Sequence, residues 1–178
     1  MAPIFRRACP DQLEGLVNLP TLFATNIVML QCYSTLDVFY GVLTGRPMFF
    51  RYTVDFTPEV PESLFFLVDA PGLRWAFGLP DRLTMTFARM NGLLEVFGPH
   101  VPTQVVSELE AEIKRMKPIV DSSAEPHLFI RRTAVQQSWF LAALIYLYMV
   151  CDSISDIFRV VSRRCRVYVV VIRQTSEL

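Results

Sequence analysis

Residues 21–47 read TLFATNIVMLQCYSTLDVFYGVLTGRP, and the reading of this stretch decides the fold. Thr21 offers a helix N-cap, Gly45 a C-terminal stop, and Pro47 a barrier just beyond. No proline interrupts the interval, so the pattern predicts one long helix over 21–44. Asn26, Asp37 and Thr44 are spaced by eleven and seven residues and fall on nearly one side, while the other sides are apolar. Such a helix is expected to be buried on several sides, as the central helix of its domain.

Working outward, 81–97 is a second helix. Pro80 and Asp81 open it, Gly98 and Pro99 close it, and Leu83, Phe87, Met90, Leu94 and Phe97 recur at helical spacing. A third helix over 103–117 is amphipathic, with Val106, Leu109, Ile113 and Met116 on one stripe. Its glutamates (Glu108, Glu110, Glu112) precede its cations (Lys114, Arg115, Lys117), which suits the helix dipole, and Glu110 and Lys114 form an i,i+4 pair. Pro118 ends it. A last long helix is expected to start between 128 and 133 and run through the apolar 139–150, with a break at Asp152–Ser153 and a further piece over 154–161.

The connecting pieces are proline-rich. Residues 45–62 hold Pro47, Pro58 and Pro61 around Phe49, Phe50, Arg51 and Tyr52, which suggests a loop with extended portions. A short apolar segment over 63–68 and a turn over 73–77 follow. Residues 1–20, with Pro3, Pro10 and Pro20, read as an irregular lead-in with a helical turn or two over 11–17 capped by Asp11. The C-terminal residues differ in character. Val167 to Ile172 is a β-prone run among Arg163, Arg164, Arg166 and Arg173, able to pair with an extended piece of 49–56 or to stay exposed. The expectation is an all-α fold: a packed helical domain over 21–162 with long central helices and irregular loops, and an atypical β-prone tail over 163–178.

Composition narrows the function classes. Of 178 residues 52% are hydrophobic and 19% charged, below the roughly 25% charged of average soluble domains. This excludes a disordered, charge-rich chain. Seventeen Lys and Arg balance seventeen Asp and Glu, so no surplus of cations exists to neutralise nucleic-acid phosphates over the whole surface. Arg159, Arg163, Arg164, Arg166 and Arg173 cluster near the end, without an accompanying base-reading motif, and read as a solvated face.

Cys9, Cys32, Cys151 and Cys165 are dispersed, with no CxxC pair for zinc or redox chemistry, and are expected to stay reduced. His100 and His127 each follow a proline and lack partners at metal-ligand spacing. No phosphate loop, dinucleotide fingerprint, serine-hydrolase elbow or zinc-protease motif occurs, so the sequence predicts neither metal, cofactor nor catalysis. Asp37 has two readings: an acid activated by burial, or one member of a structural polar side. Phe49, Phe50, Trp75, Phe77, Phe87, Met90, Trp139 and Tyr146 likewise suit a core or the lining of a small-molecule pocket. For a membrane span, 21–43 carries too many polar residues and 139–150 is too short against the roughly twenty residues required.

Three blocks, taken in order, carry a resemblance. The first is 27–47, a long helix ending in Gly45, Arg46 and Pro47. The second runs from Gly72 through Trp75, Gly78, Pro80 and Asp81 into the helix holding Phe87 to Asn91. The third is the apolar run 137–148, QSWFLAALIYLY. Together they resemble the fungal-specific regulatory domain of binuclear zinc-cluster transcription factors. The resemblance implies an all-helical nuclear module that regulates transcription through protein contacts, self-association or a small-molecule effector, without catalysis. In that family a six-cysteine segment binds DNA. The cysteines here do not form one, so no direct nucleic-acid contact by this chain is implied, and the valine-rich end suggests a truncated form. The alternatives are a membrane-associated helical protein, motivated by a mean hydropathy of +0.35 and the two apolar helices, and then an enzyme of unknown reaction.

Overall fold

A computed structural model describes residues 2–9, 15–98, 100–121 and 125–150. In chain order the elements are α1 (Ala2–Ala8), β1 (Leu16–Asn18), α2 (Leu19–Ala24), α3 (Val28–Thr44), β2 (Arg51–Thr53), a 3-10 turn (Glu62–Phe66), α4 (Arg74–Phe77), α5 (Asp81–Phe97), α6 (Thr103–Arg115) and α7 (Pro126–Val150). The domain is mostly helical, with one small parallel sheet among the described residues that the all-α expectation lacked. In that sheet Leu16 pairs with Arg51, Val17 with Tyr52 and Asn18 with Thr53.

The expected helix over 21–44 is two helices. The first begins at Leu19, and its cap is Asn18, whose Oδ1 accepts from the Thr21 amide at 3.3 Å. It stops at Ala24 because its last carbonyls have other partners: Gln31 Nε2 donates to Phe23 O at 2.9 Å and to Thr25 O at 2.6 Å, and Thr25 Oγ1 donates to Leu22 O at 2.7 Å. These side chains satisfy acceptors that the end of a helix leaves open. Asn26 therefore lies off α3, and its expected alignment with Asp37 and Thr44 does not exist.

The lead-in is not irregular, since it contains α1 and β1, and Phe5, Cys9 and Val17 are buried in the main core. Of the turns expected over 11–17, residues 16 and 17 are strand and 11–14 lie outside the described residues. So do the break at Asp152–Ser153, the piece over 154–161 and the run Val167 to Ile172. The extended piece at 51–53 has its partner in β1.

The later helices follow their boundary chemistry. The bounds of α5 match the expected 81–97, between Pro80 and Gly98. Helix α6 ends at Arg115, short of the expected 117: Met116 is already extended, and Pro118 pushes Lys117 before it out of helical backbone. Helix α7 begins at Pro126, earlier than expected, because a proline at the first helical position forfeits no hydrogen bond, and the Glu125 carbonyl accepts from the Leu128 and Phe129 amides.

Helix α5 lies at the centre, packed against α2, α3, α6 and α7. Phe87 sits between Phe39 of α3 and Tyr146 of α7, with ring centroids 5.8 and 6.0 Å away. An ion network centred on the buried Arg82 adds direction to this apolar packing. Arg82 of α5 contacts Glu62 at 2.6 Å and Glu112 of α6 at 2.9 Å, and Arg89 reaches the other Glu112 oxygen at 2.6 Å. Thr86 donates to Glu112 at 2.7 Å, so this carboxylate is held from three sides.

Candidate functional site

The second sequence block forms a compact corner before α5. Asp81 is only 2% exposed, and its Oδ1 accepts from the Leu73 amide at 2.7 Å. Its Oδ2 is buried without a hydrogen-bond partner among the described residues. Burial pushes the carboxyl up to about 6, against the lowering effects of the Leu73 amide and Arg74. Gly72, with φ at +124°, lies against this carboxylate so closely that a Cβ would overlap it. Only glycine fits there, on both conformational and steric grounds.

Arg74 Nη2 donates to Leu67 O at 2.8 Å and also to Val68 O, which fastens the guanidinium to the preceding loop. Burial lowers its pKa, while Asp81 and Asp69 raise it. After one turn α4 stops at Gly78 in left-handed backbone, and Trp139 Nε1 donates to Phe77 O at 3.3 Å. Trp75 points outward, 75% exposed.

Beside this corner is a cleft of about 470 Å³. Arg74, Trp75 and Gly78 line one wall; Arg131 and Arg132 of α7 and the 119–121 segment line the other. Gln136 fixes that second wall, because its Oε1 accepts from the Ile119 amide at 2.8 Å and its Nε2 donates to the Ile119 carbonyl at 2.9 Å.

The first block goes elsewhere. Gly45, with φ at +64°, closes α3 by donating its amide to Gly41 O at 2.9 Å. Gly45, Arg46 and Pro47 line a smaller cleft of about 160 Å³ with Asn91 and Glu95. Gly45, Arg46, Pro47 and the group Trp75, Gly78, Pro80, Asp81 thus do not converge on one site.

Helix α3 buries Asp37 and leaves Thr44 exposed, so the two do not share one environment. Its buried residues include Gln31, Ser34, Thr35 and Asp37. Asp37 accepts from the Phe49 amide at 2.8 Å, the Phe50 amide at 3.2 Å and Tyr52 Oη at 2.8 Å, and burial followed by this carboxylate pushes the Tyr52 phenol up. Asp37 is a structural anchor for the 49–52 loop. Thr44 turns back to its own helix, donating to Tyr40 O at 2.6 Å. The outer side also carries large apolar groups: Met29 is 77% exposed, Leu36 61%, Tyr40 45% and Leu43 82%. The half-buried Cys32 completes a stripe 29, 32, 36, 40, 43, spaced by three, four, four and three residues. Exposed Phe49 extends it by stacking on Tyr40 at 6.1 Å.

The remaining candidates separate cleanly. Phe50, Phe87, Met90 and Tyr146 are core, whereas Phe49, Trp75 and Phe77 are exposed. His100 and His127 are exposed, the latter 3.3 Å from Glu125. No group of three or more His, Cys, Asp or Glu able to hold a metal occurs among the described residues. Neither Cys9 nor Cys32 is bridged, and Cys151, Cys165 and the arginines from Arg159 onward lie outside those residues. No described helix is long and apolar enough to cross a membrane. Sequence reasoning missed Arg131, Arg132 and Gln136 as site residues; the adjacent arginines opening an otherwise apolar helix were the available signal. Comparison with protein-family models, with curated proteins and with solved structures found no match to this chain.

Proposed function

We propose that this chain is a regulatory interaction module of the fungal-specific transcription factor kind, acting in the nucleus by protein contact and without catalysis, and that it associates with a second copy of itself through the outer face of α3. The order of the three sequence blocks supports the transcriptional setting. The outer face of α3 supports the mode of action, and is the observation that carries it.

Three properties of that face favour a second copy. Its residues recur at intervals of three and four, the spacing that gathers side chains along one side of a helix where another helix can lie. The one charged residue of α3, Asp37, is turned inward and bonded, so the helix brings no like charges of its own to a contact between two copies. Met29, Leu36, Tyr40 and Leu43, extended by Phe49, are between 45% and 82% exposed, and large apolar side chains gathered in one patch mark an interaction surface.

Sedimentation of the full chain tests this. A dimer that becomes a monomer in Leu36→Lys/Leu43→Lys, with unchanged helical content, is the expected result. A monomeric parent chain overturns the reading, and a monomer that co-sediments with lipid vesicles would assign the face to a membrane surface instead. Fusing the chain to an unrelated DNA-binding head and reading a reporter tests the transcriptional part; unchanged reporter output sinks it.

A further inference from the structure

We propose that the cleft between the 68–78 corner and the start of α7 binds a small organic carboxylate with an apolar body. At about 470 Å³ it falls within the range of small-molecule sites. Arg74, Arg131 and Arg132 line it against one lining acid, Asp121. Arg131 and Arg132 are exposed and form no ion pair among the described residues, while Arg74 is held in place by two carbonyls. A planar guanidinium matches a carboxylate through paired N–H donors, and three arginines lining one cleft supply such donors from both of its walls.

The rest of the lining sets the body of the ligand. Val68, Phe77 and Val135 supply apolar carbon, and Trp75 leaves its indole in solvent at the mouth. An outward tryptophan beside a cationic cleft gives a flat apolar group a surface to stack on. A bare inorganic anion would leave these carbons wet. Gln136 does not compete for the ligand, because its amide is committed to Ile119. None of the lining residues belongs to α3, so this site and the self-association face stand or fall separately.

Calorimetric titration of the full chain tests the proposal with three probes: 2-naphthoate, the neutral 2-naphthamide and inorganic phosphate. Naphthoate is expected to bind about tenfold or more tightly than either of the others, because only it offers both the charge and the ring. Arg131→Gln/Arg132→Gln is expected to weaken naphthoate by about tenfold at an unchanged melting temperature, since both side chains are exposed. Trp75→Ala should weaken naphthoate and naphthamide alike. The α3 variant Leu36→Lys/Leu43→Lys should bind naphthoate as the parent does. No binding of naphthoate, equal binding of naphthamide, displacement of naphthoate by equimolar phosphate, or indifference to the double arginine change would each overturn it.

Discussion

Tyr146 Oη donates to Asn91 Oδ1 at 2.7 Å, and Asn91 Nδ2 donates in turn to the Val38 carbonyl at 2.9 Å. One buried amide therefore joins α7, α5 and α3, and burial pushes the tyrosine phenol up to about 12. Tyr146→Phe keeps the ring against Phe87 and removes only the hydroxyl, leaving Asn91 Oδ1 without its donor. The expected loss is about 1–3 kcal/mol, the usual cost of a buried acceptor left unsatisfied. Denaturant midpoints of the two chains measure it; identical midpoints would mean that this bond contributes nothing to stability.

Asp81 gives a pH dependence of unusual sign. Its carboxyl stands at about 6 in the folded chain against an ordinary 3.8, so the folded state favours the protonated form. The stability this adds is complete below about pH 4 and is lost as pH rises through about 6, a change of about 3 kcal/mol. Glu110 works the other way and in another window. Burial raises it, but the bonds from Lys114 and Tyr148 lower it more, so its contribution disappears only as pH falls below the ordinary glutamate range. Melting curves between about pH 4 and pH 7 should lose much of their slope in Asp81→Asn. An equal slope in both chains would refute the assignment.

On α6, Leu109 is buried and Glu110 half-buried. Leu109→Asp places an unpaired carboxylate in the core and is expected to cost about 4 kcal/mol. Glu110→Gln weakens the Lys114 pair but keeps an oxygen to accept from Tyr148, so about 1 kcal/mol or less is expected. Thermal melts that shift equally in the two variants would show that the inner face of α6 is misassigned.

The Arg82 network predicts an asymmetry. Glu112→Ala strips a buried guanidinium of one of its two carboxylates and should cost about 3 kcal/mol or more. Arg89→Ala removes the partly exposed partner of the same glutamate and should cost under about 1 kcal/mol. Chemical unfolding of both variants decides it, and a larger loss for Arg89→Ala would reverse the ranking.

What was legible in the sequence was set by local chemistry. Pro80 and Gly98 bracket α5 whatever lies around it, and the stripe of α6 marks its own buried side. Helix α3 defeated the same logic because its polar side is satisfied by distant groups: the Phe49 and Phe50 amides, Tyr52 Oη and the Phe23 carbonyl. Periodicity finds two faces without saying which one is inside. The break at 25–27 was hidden for a similar reason, since its stabilising group, the Gln31 amide, reads as an ordinary helical residue. Strands of three residues carry too little alternation to register, and β1 finds its partner about thirty-five positions away. In the candidate cleft, Trp75 and Gly78 were marked in advance, while Arg131 and Arg132 join them only through the approach of α7 to the corner.

The parallel pairing of β1 with β2 also says where this folding unit can be cut. Residues 16–18 clasp 51–53, and Phe5 and Cys9 are buried in the same core, so the described residues ahead of α2 strap the fold. Trimming the protein to begin at Thr21 would take away the cap of α2, the partner of an otherwise bare strand edge and part of the aromatic packing around Phe50. A protease that removes the strap would unlatch the very loop that keeps Asp37 covered.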